Sequence, residues 1–108
     1  MKIIIKEISS IAISSKSGML LRQKLEKALE SNEIVTIDFC GVDKFASMYF
    51  NASIGYVAQK LGREEFNRRV KIVNITINGK EIINSSIENS ISKKESFDIQ
   101  ETLKGLGD

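Results

Sequence analysis

Two short stretches hold the residues with chemistry to offer. The first is Ser14-Ser15-Lys16-Ser17-Gly18 followed by Arg22, and the second runs from Asp38 through Cys40-Gly41-Val42-Asp43 to Ser47. Small polar residues just ahead of a helix leave backbone N–H groups open to an anion, and an arginine one turn in adds a fork suited to phosphate or carboxylate. Ser17, Gly18 and Arg22 are therefore candidate anion ligands, beside the plainer reading of Arg22 as an exposed helix arginine. No GxxxxGKS/T or GxGxxG stands in the chain, so a nucleotide would rest on bare helix ends. Asp38, near the end of an apolar run, either orients the following loop or caps nearby N–H groups, and the structural role is favoured. Cys40 reads as an inert strand-end thiol ahead of a redox sensor. Acid/base catalysis would need two neighbouring carboxylates, and the only acids near these stretches are Asp38 and Asp43, the latter read as a turn residue. No catalytic residue, metal ligand or cofactor is assigned.

Composition narrows the chemistry further. Among 108 residues there is no histidine, no proline and one cysteine. Zero histidines removes imidazole bases, His-based triads and the commonest zinc ligand together. One cysteine forms no internal disulfide, which suits a reducing cytoplasm. The opening MKIIIKEI carries only Ile3 to Ile5 before Lys6 and Glu7, so neither a secretory signal nor a membrane span is expected. Sixteen Lys+Arg against fourteen Asp+Glu leave a net charge of +2, with the signs interleaved, and nucleic acid is not an expected partner. Even the basic segment Arg63, Arg68, Arg69 and Lys71 is diluted by Glu64 and Glu65 and reads as a solvated turn.

These stretches must be positioned by a scaffold, and the hydrophobic pattern indicates one. KIIIKEI (2–8) reads as a strand, with Ile11 and Ile13 alternating as its extension. A helix opening near Ser17 places Leu21, Leu25, Ala28 and Leu29 on one face and ends at Ser31-Asn32. The run Ile34, Val35, Ile37, Phe39 is too continuously apolar for a half-exposed strand and predicts a central, doubly buried one. Phe50, Ile54, Val57, Ala58 and Leu61 predict one helix from Ser47 to Gly62, then a helical turn over REEFNRR and a third strand, VKIVNI. Asn78 with Glu81 predicts the cap of a last helix that aligns Ile83, Ile87 and Ile91. The order β-α-β-α-β-α predicts a single α/β domain over residues 1–92, its small, mostly parallel sheet covered by helices, with 93–108 as a tail that is flexible or docks through Phe97, Ile99, Leu103 and Leu106. In such sheets sites form beyond the carboxyl ends of the strands, where both stretches fall.

The SSKSG segment with Leu21-Arg22, the strand and turn Ile37-Asp38-Phe39-x-Gly41-Val42, and Phe45-Ala46-Ser47 opening a helix that passes Gly55 and ends at Leu61-Gly62 resemble the bacterial STAS-like family of unknown function. That family is a relative of the STAS domains of anti-sigma-factor antagonists. The resemblance implies a non-enzymatic regulatory module that binds a protein partner, such as a histidine-kinase-like ATPase or an anti-sigma factor, with homodimerisation left open. It also implies a switch by phosphorylation of a serine at the start of the helix after the strand. Aligning Asp38 with the family's strand aspartate puts Met48 at the usual acceptor position, leaving Ser47 as a shifted acceptor whose first role is expected to be an N-cap. The partner surface expected from this likeness is Asp43, Ser47, Met48 and Tyr49. The alternative is a nucleotide or small-anion binding domain using the two helix N-termini.

Overall fold

A computed structural model describes residues 1–9 and 11–107, with side chains described as far as residue 93. Its elements are β1 (Lys2–Ile4), α1 (Ile5–Ile8), α2 (Ser15–Ser31), β2 (Val35–Asp38), α3 (Ser47–Ala52), α4 (Ile54–Leu61), α5 (Arg63–Arg69), β3 (Val70–Val73) and α6 (Ile77–Gly107). Six helices accompany a three-stranded sheet of order β1-β2-β3, parallel throughout, with β2 in the centre. The apolar run predicted as the central strand occupies that position, and Val35, Ile37 and Phe39 on one face are wholly buried, but Thr36 on the other is only half-buried, so the expected burial of both faces is incomplete. Ile34 stays outside the strand and is exposed.

The first strand is shorter than the β-branched run predicts. Ile4 pairs with Asp38, the last residue of β2, after which the chain turns away at Gly41 with φ 82°. With no ladder left to join, Ile5 to Ile8 coil into α1 and bury Ile5, so partner length overrides β propensity. The extension at Ile11 to Ile13 does pair, but elsewhere. Ala12 donates its N–H to Lys44 O at 2.9 Å and accepts from Ala46 N–H at 2.9 Å, an isolated parallel bridge to Phe45.

The helix predicted from Ser47 to Gly62 is two helices. Ser53 interrupts it with φ −119° and ψ −92°, and its buried Oγ donates to Tyr49 O at 2.7 Å. The last helix is capped two residues earlier than predicted, by Thr76, whose Oγ1 accepts the Gly79 N–H at 3.0 Å. Ile83 and Ile91 enter the core from it, and Gly55 of α4 lies so close to Ser86 and Ser90 that a Cβ there would meet their Oγ atoms at 2.9 and 2.8 Å. The docking expected of Phe97, Ile99, Leu103 and Leu106 falls outside the residues whose side chains are described. Beneath the site loops lies an aromatic cluster in which Phe39, Phe45 and Phe50 pack at centroid distances of 5.7–6.0 Å and Tyr49 meets Phe50 edge-on.

Candidate functional site

The carboxyl ends of β2 and β3 are tied together by Asp38. Its Oδ1 accepts from Cys40 N–H at 2.9 Å and from Asn74 Nδ2 at 3.0 Å, and Lys2 Nζ stands 3.3 Å from Oδ2. Asn74 is held at φ 58°, a left-handed conformation that asparagine tolerates better than most residues. The Cys40 N–H first, then Asn74, hold the Asp38 carboxyl below its ordinary value, with Lys2 adding to the effect. A carboxyl that binds its proton less tightly folded than unfolded stabilises the fold above about pH 4 and loses that contribution as pH falls through the lowered folded value. Asp38→Asn is therefore expected to flatten the acid limb of stability against pH, read from urea midpoints. A slope remains from Glu88, which the Arg63 hydrogen bond also holds low. An unaltered acid limb in the variant would contradict this role. Asp38 thus serves the loop's structure, and its partners Lys2 and Asn74 carry no sequence signal of their own.

Beyond Asp38 the chain runs over an exposed Cys40 and Asp43 to the bridge with Ala12 and then into α3. The bridge decides where the helix begins. Ala46 is pinned in extended conformation by its bond to Ala12 O, so it occupies the N-cap position, and no side chain caps the helix. Ser47, expected as that cap, is instead the first helical residue and is exposed. Met48 beside it is 55% exposed. Tyr49 is not part of this surface. It lies fully buried beneath α2, its hydroxyl has no hydrogen-bond partner among the described residues, and burial pushes its pKa up to about 12.

Three further large apolar residues not expected at the surface are exposed. Because Ala12 points inward at the bridge, its neighbours Ile11 and Ile13 point out, at 45% and 39% exposure. Ile77 is 82% exposed at the start of α6, two residues before Gly79, which packs on the Phe45 ring. The sequence signal for Ile11 and Ile13 was their alternation with Ala12, which assigns neither phase to the core.

The expected anion ligands are each committed elsewhere. Ser14 caps α2 by accepting the Ser17 N–H at 3.1 Å, and its hydroxyl donates to Ser17 Oγ at 3.0 Å. Gly18 is buried against α3, where a Cβ would lie 2.5 Å from Tyr49 O. Arg22 stacks on Tyr56, 4.4 Å from the ring centroid, with its Nε 3.6 Å from Glu26. The basic segment is likewise engaged: Arg63 pairs with Glu88, Arg68 with Glu33, Arg69 binds the end of α2, and Lys71 donates to Asn67 O. No described helix is long and apolar enough to cross a membrane.

A parallel three-stranded sheet whose strands are joined by helical crossovers defines a small α/β domain. The family described as a STAS-like domain of unknown function matches residues 17–80, more than half of the chain, and the protein belongs to it. No curated protein and no solved structure matches the chain.

Proposed function

We propose that the protein is a non-enzymatic regulatory module that binds a protein partner through the start of α3. The observation that carries this reading is the 55% exposure of Met48 at the start of α3, where Ile11 and Ile13, flanking the residue bridged to Phe45, and Ile77, two residues before the glycine packed on the Phe45 ring, are exposed as well. Exposed apolar groups of this kind mark interaction sites, and methionine adapts its shape to a partner at little cost. Asp43 and Ser47 supply the polar margin. The likeness to the STAS domains of anti-sigma-factor antagonists supports a partner of the histidine-kinase-like ATPase or anti-sigma-factor type. Ser47, free of any capping duty, is the candidate phosphoacceptor. A phosphate there would set about two negative charges on an apolar contact and release the partner.

Met48→Glu places a charge at the same point and is expected to weaken a complex with such an ATPase by about tenfold or more, without change in melting temperature. Affinity purification followed by titration of the recovered partner measures this. Unchanged affinity would remove this surface from the proposal, and peptide mass analysis of protein from its native host would locate a phosphate on Ser47 or exclude it.

A further inference from the structure

A groove of ≈ 580 Å³ shares no lining residue with the surface proposed around Met48. One wall is Met1, Lys2, Ile3 and Ile4, and the other is the last turns of α2. Four successive residues line it although Ile3 buries its side chain in the core, so the groove follows the edge of β1, not a face. Among the described residues β1 pairs with β2 alone. Thr36 N–H donates to Met1 O at 2.9 Å, and the alternation of a parallel ladder then turns the main-chain groups of Lys2 and the N–H of Ile4 to the open side. Such an edge is a template for another strand.

The walls also state what kind of strand. Lys2, Lys24 and Lys27 line the groove against one acid, Glu7. Lys24 and Lys27 are exposed and make no ion pair among the described residues. Ile8 and Ala28 add apolar lining to the same groove. A second copy of the chain would set these lysines against their own equivalents, which like-charge repulsion opposes.

We propose that the β1 edge binds an extended segment of a protein partner that carries both acidic and apolar residues, added to the sheet as a fourth strand. Main-chain hydrogen bonds to Lys2 and Ile4 supply the strand addition, apolar side chains meet Ile8 and Ala28, and carboxylates meet Lys24 and Lys27. This surface is separate from the one proposed around Met48, and either stands without the other.

The test is fluorescence anisotropy of the full chain with a labelled peptide of alternating valine and glutamate, compared with a valine–lysine peptide, together with amide hydrogen exchange. The acidic peptide is expected to bind and the basic one not. Lys24→Glu with Lys27→Glu is expected to weaken binding by about tenfold or more, with an unaltered circular dichroism spectrum. The Lys2 and Ile4 amides gain protection in the complex, and an acidic peptide N-methylated at alternate residues fails to bind. Equal binding of both peptides, no new protection at Lys2 and Ile4, or a dimer formed through β1 in sedimentation would each overturn the proposal.

Discussion

Replacing Gly18 with valine is expected to destabilise the fold by about 3 kcal/mol and to lower the melting temperature by roughly 10–15 °C. A Cβ at this position would lie 2.5 Å from Tyr49 O, 3.2 Å from Tyr49 C and 3.1 Å from Ala52 Cβ. Two of these three neighbours are backbone, which cannot step aside as a flexible side chain would. The strain has no easy outlet, because α3 is fixed on every side. Ser53 Oγ holds Tyr49 O, the Ala12 bridge holds the helix entry, Phe50 is locked in the aromatic cluster, and Asn51 is bonded to Ser86 of α6. Gly18→Ala is a graded companion. Alanine gains about 1 kcal/mol of helix propensity over glycine, so the net loss should be smaller, about 1 kcal/mol. Thermal denaturation of both variants checks the order. A valine variant as stable as the parent would show that α2 and α3 do not touch through backbone at this point, and would reopen Gly18 as a residue kept for a ligand.

What could be read in advance divides along the range of the interactions involved. Leu21, Leu25, Ala28 and Leu29 recur at helical spacing and all enter the core, because a helix face is decided within a few turns of its own sequence. The apolar residues of β2 disclosed its central place, although Thr36 and Asp38 interrupt the run and only one face is wholly buried. Ile5 to Ile8 misled because the length of a strand is set by its partner, and β2 ends opposite Ile4. The periodicity of Phe50 to Leu61 is true of both α3 and α4, and it carries no mark of the interruption at Ser53, whose hydroxyl bonds one turn back. At the candidate site the sequence located the loop and Met48. It misplaced Tyr49, and it hid Ile11 and Ile13, since alternation alone does not say which phase faces inward. Only the bridge between Ala12 and Phe45 determines that.

The basic segment shows the same divide and leads to a second large effect. In sequence Arg68 and Arg69 are equivalent, yet Arg69→Ala is expected to cost about 2–3 kcal/mol and Arg68→Ala about 0–1 kcal/mol. Arg68 pairs with Glu33 and Glu65 in the open, where solvent and salt screen the attraction. The Arg69 side chain is 18% exposed and binds three carbonyls where α2 ends: Nη2 donates to Leu29 O at 2.6 Å and Asn32 O at 3.0 Å, and Nε to Glu33 O at 3.1 Å. The last turn of α2 has no basic residue of its own, so Arg69, from α5, supplies the cation that its negative end favours. It also joins the exit of α2 to the entry of β3, holding together the two segments that deliver β2 and β3 to the sheet. Without the guanidinium, part-buried carbonyls lose partners that water replaces only in part. Arg69→Lys should recover little, because an ammonium is a point charge and does not reproduce a planar fork spanning three acceptors. Urea denaturation of the three variants measures the order, and an Arg68→Ala loss equal to that of Arg69→Ala would show that the segment acts through charge and not through these carbonyls.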